Sequence, residues 1–153
     1  MRRNVSTNHA PVFALMNWPL VADSKWTFRI EKMTGWLGVG IINLSLARDF
    51  KFCDLVNKKL RRLCMITSTG NDDDTKIERI CGGRRFEFGD GSLINMMFDT
   101  ESHQLNCETI GPNNELLQCQ IKYAKLPYIT DKFYPSVYLP IPDNAVEFIQ
   151  QGL

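Results

Sequence analysis

The chain of 153 residues predicts an all-β fold, an antiparallel β-sandwich, on three observations. In the segment 25–30, Trp26, Phe28 and Ile30 alternate with polar residues, a period of two that is typical of a strand with one buried face. The segment 36–42 is continuously apolar, which indicates a strand covered on both faces. Short β-prone runs separated by frequent turns occupy most of the remaining sequence, as in a sandwich or barrel.

Composition and charge limit the class of protein. A hydrophobic content of 44% suits a single globular domain with its own core. The 18 basic and 17 acidic residues nearly balance, which argues against a general attraction to nucleic acid or membranes. No apolar run approaches the ~18 residues of a membrane span. An apolar stretch over 11–22 loosely resembles a secretory signal, but Asn17 and two prolines interrupt it.

The cysteines predict the compartment. There are five, widely spaced and without a C-x-x-C pair, which is typical of buried thiols and not of a disulfide framework or a closed zinc site. We therefore expect a reducing intracellular location, cytoplasmic or nuclear, and no metal or other cofactor.

Three regions are predicted along the chain. Residues 1–9 are polar and read as a flexible N-terminal tail. Residues 10–142 form the sandwich, and residues 143–153 form a short C-terminal helical extension. The last prediction rests on Asn144 and Glu147, whose spacing fits a helical capping box.

The first strands are predicted over 12–16, 25–30 and 36–42. The polar connection 31–35 ends in glycine, which predicts that the second and third strands form a central hairpin. Gly38 and Gly40 lie on one face of the third strand, where a neighbouring strand or a large aromatic residue could approach closely; Trp26 and Trp36 are the candidates.

A short amphipathic helix is predicted next, because Asp54 can cap it and its apolar residues then recur at helical spacing: Val56, Leu60 and Leu63. The remaining strands follow from alternation and turn signals, at 64–69, 84–88, 94–98, 104–109, 117–123 and 136–141. The segment 127–134 is predicted to be an aromatic loop.

Several motifs in this order and spacing are shared with one family. They are Trp26-Thr27-Phe28-Arg29-Ile30, Gly35-Trp36-Leu37-Gly38-Val39-Gly40-Ile41, Ile66-Thr67-Ser68-Thr69-Gly70, Phe88-Gly89-Asp90, Met97-Phe98-Asp99-Thr100-Glu101 with Leu105-Asn106-Cys107, and Phe133-Tyr134-Pro135-Ser136-Val137. Through them the chain resembles a SPRY domain over about residues 12–141.

The resemblance implies a bent, concanavalin-like sandwich of two antiparallel sheets with no catalytic residues; the one or two short helices are predicted from the sequence pattern and are not a hallmark of the family. It also implies recognition of a protein or peptide through loops at one end, as in substrate receptors of ubiquitin ligases or modules of larger scaffolds. The expected function is therefore that of a non-catalytic binding module within a larger protein or complex.

Two groups of residues are candidates for partner binding. Aromatic residues dominate interface hot spots, and four lie in or beside predicted loops: Trp18, Tyr128, Phe133 and Tyr134. Core packing is the alternative for each of them. The second group is basic: four residues lie on the predicted helix, and two more at the start of the predicted strand 84–88 could add to them, namely Lys58, Lys59, Arg61 and Arg62, with Arg84 and Arg85.

The basic group supports a second hypothesis, an RNA- or anion-binding module that uses the segment 48–62. Its alternative is a solvated helix face, and apart from Phe50 and Phe52 the stacking aromatics of nucleic-acid sites are missing. A third hypothesis is a structural subunit of a permanent assembly.

No catalytic or metal site is predicted. His103 and Cys107 are roughly 13 Å apart if they lie on one extended strand, too far for a dyad. The aspartates 72–74 lack the spacing of an EF-hand loop, and a solvated acidic loop is expected there. No phosphate-binding loop sequence occurs.

Overall fold

The computed structural model describes residues 2–6, 12–49, 65–67, 78–80, 86–122 and 132–150. These contain one helix, α1 (Leu44–Asp49), and eleven strands: β1 (Arg2–Ser6), β2 (Val12–Leu15), β3 (Ser24–Lys32), β4 (Gly38–Asn43), β5 (Met65–Thr67), β6 (Glu78–Ile80), β7 (Leu93–Asp99), β8 (Gln104–Ile110), β9 (Leu116–Lys122), β10 (Phe133–Leu139) and β11 (Ala145–Gln150).

The strands form two sheets. One has seven strands in the order β1-β11-β3-β7-β8-β9-β6, and the other has four in the order β2-β10-β4-β5. Every pairing is antiparallel. The predicted fold class, an all-β antiparallel sandwich, is confirmed.

The core lies between the inner faces of the two sheets. In β7, β8 and β9 burial alternates strictly along the strand, as the sequence predicts. The largest fully buried side chains include Trp26, Phe28, Phe98 and Phe148. Each of these aromatics comes from the seven-stranded sheet, so that sheet supplies most of the bulk of the core.

The predicted central hairpin is wrong, because β3 and β4 belong to different sheets. β3 pairs with β11 and β7, whereas β4 pairs with β10 and β5. The connection between them crosses from one sheet to the other, and Gly35 supports the bend with a φ of 74°. The buried Asn144 side chain holds this connection, since it accepts a hydrogen bond from Thr34 N–H (2.6 Å) and donates one to the Trp36 carbonyl (3.3 Å).

The prediction that the segment 36–42 is covered on both faces is confirmed for β4, whose six residues are all buried. Gly38 lies opposite Tyr138 of β10. The ring of Trp36 packs edge-on against Tyr138, with 5.4 Å between the ring centroids. Trp36 therefore packs on the residue that faces Gly38, whereas Trp26 belongs to the seven-stranded sheet and is fully buried in the core.

Both terminal predictions are wrong over the described residues. β1 is a strand within the predicted tail, and it pairs with β11. The predicted C-terminal helix is the strand β11, which lies between β1 and β3 and buries Val146 and Phe148. Asn144 caps a distant backbone segment instead of a helix of its own.

Three smaller differences concern element bounds. The predicted helix over 54–63 lies outside the described residues, whereas α1 ends at Asp49. Residues 86–88 are irregular, although a strand is predicted there. The predicted strand 136–141 begins earlier and ends earlier, as β10, and therefore includes Phe133 and Tyr134.

Candidate functional site

Three large aliphatic side chains are exposed side by side on the outward face of the seven-stranded sheet. Leu93 is 49%, Ile110 55% and Leu116 53% exposed. Ile110 lies directly opposite Leu116, and extending the β7–β8 register by two residues from the Asn95–Glu108 pair places Leu93 opposite Ile110. Adjacent strands are about 4.8 Å apart, so the three side chains form a continuous row about 10 Å long. We refer to Leu93, Ile110 and Leu116 as the aliphatic row.

A concavity of about 610 Å³ adjoins the row. It is lined by residues 87–93 and by Ile110, Gly111 and Pro112, and most of its lining surface is apolar. Phe88 is buried at its base and packs edge-on against Phe86. We refer to this concavity as the groove. Its volume is in the range of ligand-binding clefts, ~300–1,000 Å³.

Hydrogen bonds fix the loop that forms one wall of the groove. Gly91 N–H donates to the Ile30 carbonyl (2.7 Å), and Ile30 N–H donates to the Ser92 carbonyl (2.9 Å). The carboxylate of Asp90 accepts a hydrogen bond from Met33 N–H at 2.7 Å. The wall is therefore attached to the end of β3, and the groove is preformed.

The opposite wall is the turn between β8 and β9. Gly111 N–H donates to the Glu115 carbonyl at 2.7 Å, and Asn114, with a φ of 60°, closes the turn by donating its N–H to the Gly111 carbonyl. The Glu115 carboxylate occupies the space next to the Gly111 α-carbon where a side chain would otherwise lie. One of its oxygens, Oε2, is buried and has no hydrogen-bond partner among the described residues.

Carboxylates surround the groove. Glu87 and Asp90 line it, Glu115 lies beside Gly111, and Glu108 is two residues from Ile110 on the same face of β8. The nearest cation on this face, Arg29, lies opposite Leu93 on β3 and is paired with Glu31 (3.5 Å) and Glu147 (3.8 Å). The groove therefore has an acidic rim among the described residues.

A second depression, of about 500 Å³, continues along the same sheet face. Amide side chains line much of it: Asn95, Asn106, Gln118 and Gln120. Asn95 accepts a hydrogen bond from the Thr27 hydroxyl at 2.8 Å, which orients it. Asn95 and Gln118 are each two residues from a member of the aliphatic row, so apolar and amide surfaces adjoin.

Comparison with solved structures identifies the fold. The crystal structure of the SPRY domain of human HERC1 superposes with a TM-score of 0.57 and 16% sequence identity, covering 92% of this chain and 83% of that chain. This chain has a SPRY-type fold. A legume lectin-like domain from Entamoeba histolytica is also similar, with a TM-score of 0.45, 10% identity, and coverage of 96% of this chain and 80% of that chain. No protein-family model matches the sequence, and no curated protein matches it.

Two of the aromatic candidates are structural in this SPRY-type sandwich. Trp18 is half-buried, and its ring packs against Trp26 (6.1 Å between centroids) and Phe148 (5.8 Å). Phe133 is 3% exposed and packs against Phe98 and His103. Tyr134 is half-buried on β10, in the four-stranded sheet, away from the groove. Hydrogen bonds from Met16 N–H to the Pro135 carbonyl and from Leu20 N–H to the Phe133 carbonyl (both 2.8 Å) place the segment that carries Trp18 beside the one that carries Phe133 and Tyr134.

The other predicted site residues lie outside the described residues: Tyr128, Lys58, Lys59, Arg61, Arg62, Arg84 and Arg85. The same holds for the aspartates 72–74. Their roles stay predictions.

The aliphatic row is not predicted from the sequence, although the position of each of its residues in its strand is a recognisable signal. Leu93, Ile110 and Leu116 each stand out of phase with the apolar alternation of their strands, at the strand end. An out-of-phase aliphatic residue is unremarkable alone. An exposed apolar surface becomes evident only when the strand register places three such residues side by side.

Other chemistry finds no support in the described part of the chain. Cys107 is buried on β8, whereas His103 lies in the preceding turn with a φ of 53°, so extended backbone separates the two. No cluster of three potential metal ligands occurs among the described residues. Within the same residues, no helix has the length and apolar character needed to cross a membrane.

Proposed function

We propose that this SPRY-type sandwich is a non-catalytic protein-interaction module that binds a polypeptide segment of another protein in the groove. The observation that carries the proposal is the aliphatic row. Single exposed aliphatic residues are common on soluble proteins, but a contiguous exposed apolar patch beside a preformed concavity is typical of an interaction surface.

The adjoining amide-lined depression favours a polypeptide over a purely apolar ligand. Amide side chains offer both donors and acceptors, as peptide groups do. A bound segment would place apolar side chains on the row and satisfy backbone groups on Asn95 and Gln118. Binding would then combine apolar burial with directional hydrogen bonds, the usual composition of a recognition site.

We further propose that the module acts as a substrate-recognition or scaffold component of a larger complex, of which a ubiquitin ligase is one class. An intracellular, reducing location fits this role, and the buried thiols of Cys107 and Cys119 support it. The alternative of RNA or anion binding through the segment 48–62 rests on sequence alone, since that segment is almost wholly outside the described residues.

The test is quantitative capture of proteins from native lysate by the immobilised chain. The variant Leu93→Thr/Ile110→Thr/Leu116→Thr removes the row but keeps β-compatible side chains. Val21→Thr is the matched control, because Val21 is 65% exposed in a turn that does not line the groove. A discrete protein retained by the wild type and by Val21→Thr, and lost by the triple variant, supports the proposal. Equal recovery by the triple variant contradicts it, as does recovery of RNA in place of protein. Co-recovery of ubiquitin-ligase subunits would assign the complex.

A further inference from the structure

We propose that the partner segment seated in the groove is basic as well as apolar: two or three neighbouring large aliphatic side chains flanked by lysine or arginine. This inference rests on the proposed function and specifies the chemistry of the partner. It follows from the charges around the groove and not from the apolar surface itself.

The sign of the charge around the groove determines which partner segments it favours. Among the described residues, four carboxylates line or adjoin the groove and the row: Glu87, Asp90, Glu108 and Glu115. Arg29, the cation next to Leu93, is already bracketed by the carboxylates of Glu31 and Glu147. Lys25 and Lys122 pair with Met97 and Gln104 towards the opposite end of the sheet; Lys25 lines the amide-lined depression and not the groove. Over the residues that the structure describes, a segment bound here therefore meets an excess of negative charge.

The Glu115 carboxylate favours a partner that carries hydrogen-bond donors. Its Oε2 atom is buried without a hydrogen-bond donor among the described residues. Burying a carboxylate oxygen without a donor is costly, so a donor that reaches it on binding is favoured. The other oxygen of this carboxylate, Oε1, lies against Gly111, which lines the groove. Ammonium and guanidinium groups form the strongest hydrogen bonds to carboxylates.

The negative rim should discriminate between partner segments of different charge. An acidic segment would have to bring carboxylates against the rim, and like-charge contacts at an interface are destabilising. A neutral apolar segment would bury the row and partly desolvate the rim carboxylates without compensating for their lost hydration. Basic flanking residues remove this penalty and increase the association rate through electrostatic attraction.

The experiment selects random twelve-residue peptides, displayed on phage, against the immobilised full chain. We expect the enriched sequences to combine aliphatic residues with lysine or arginine and to lack Asp and Glu. One enriched peptide is then synthesised with a fluorophore, and its Kd is measured by fluorescence anisotropy at low and high salt.

Two sets of variants separate the apolar and charged contributions. Leu93→Thr/Ile110→Thr should weaken binding of the synthetic peptide at least ~10-fold at every salt concentration, because the lost contact is apolar. Asp90→Asn/Glu108→Gln/Glu115→Gln should weaken it about 5–10-fold at low salt and less at high salt, because the lost contact is ionic. Asp90→Asn keeps the oxygen that accepts the Met33 N–H bond, so the loop wall is preserved. Val21→Thr and Glu101→Gln, which change exposed residues away from the groove, are the controls.

The outcomes distinguish the inference from the function on which it rests. Enriched peptides that are acidic, or whose binding is lost in Arg84→Gln/Arg85→Gln and kept in the groove variants, overturn the inference and leave peptide recognition intact. Binding unchanged by either groove variant overturns the inference as well, together with the assignment of the groove. Selection of no peptide above an empty-surface control overturns both proposals. Circular dichroism of each variant confirms folding before any loss is assigned to contact.

Discussion

At the scale of single residues, Asp99 shows how one carboxylate organises a turn. It ends β7, and its Oδ1 accepts hydrogen bonds from the backbone N–H groups of Glu101 (2.8 Å) and Ser102 (3.4 Å). These bonds favour the ionised form, so the pKa of Asp99 lies below its usual value, chiefly because of the Glu101 N–H and then the Ser102 side chain.

The lowered pKa of Asp99 predicts a pH dependence of stability. Because the folded pKa is below the unfolded value of about 3.9, the contribution is fully present above that value and is lost as the pH falls through the folded pKa. NMR titration of the Asp99 side-chain carbon should give a midpoint below about 3.9. Asp99→Asn keeps an oxygen at Oδ1 but cannot ionise, so its stability in urea should change less than that of the wild type below about pH 4. An Asp99 midpoint at or above ~3.9 would contradict this account.

The candidate site shows the limit of prediction at residue scale. The aromatic residues Trp18 and Phe133 were predicted as binding anchors because aromatic residues dominate interfaces, with core packing as the alternative; the structure places them in packing roles. Composition alone cannot separate these two uses of an aromatic ring. Leu93 and Ile110 could be recognised as out of phase, but their proximity depends on strand register, which a single strand does not encode.

At the scale of elements, the C-terminal strand is part of the core and not an appendage. β11 lies between β1 and β3, and Val146 and Phe148 are both fully buried. β1, by contrast, is an edge strand that joins the sheet through its ladder with β11. The two terminal elements should therefore differ in their contribution to stability.

Truncation tests this difference. A chain ending at residue 144 should lose its cooperative urea transition, because β3 loses a neighbour and the core loses Phe148. A chain beginning at residue 7 should still fold, with a free energy of unfolding lower by about 1–3 kcal/mol, since it loses one short ladder. Phe148→Ala in the full chain should cost about 3–5 kcal/mol, whereas Gln150→Ala should cost less than ~1 kcal/mol. Cooperative unfolding of the chain that ends at residue 144 would contradict the central role of β11.

The strands that the sequence predicted well are those with strict alternation, such as β7, β8 and β9. The β3–β4 hairpin failed because a short polar connection containing glycine suits both a hairpin and a bend between sheets. The structure distinguishes them through Asn144, more than 100 residues further along the chain, which holds Thr34 and the Trp36 carbonyl. Asn144 also predicts a helix cap, because an asparagine side chain that accepts a backbone N–H bond looks the same in the sequence whether that N–H is near or distant.

At the scale of the whole molecule, the chain crosses repeatedly between the two sheets, and its first and last described strands are neighbours in one of them. β1 pairs with β11, and β10 pairs with β2 and β4. Such non-local pairing means that neither sheet is complete until most of the chain has been placed. The two sheets also share one core, so neither should persist without the other.

This topology predicts one cooperative transition and slow folding. Tryptophans report on both parts of the sandwich: Trp26 is buried between the sheets, and Trp36 packs on the four-stranded sheet against Tyr138. Urea unfolding followed by tryptophan fluorescence should coincide with unfolding followed by far-UV circular dichroism. Refolding should take about milliseconds to seconds, as in other sandwiches dominated by non-local contacts. The variant Trp36→Phe leaves Trp18 and Trp26, which pack against each other, as the fluorescent reporters, and its midpoint by fluorescence should still equal its midpoint by circular dichroism. Separate transitions for the two probes would show that the sheets unfold independently. The aliphatic row would then lie on a sheet whose stability does not depend on the rest of the sandwich.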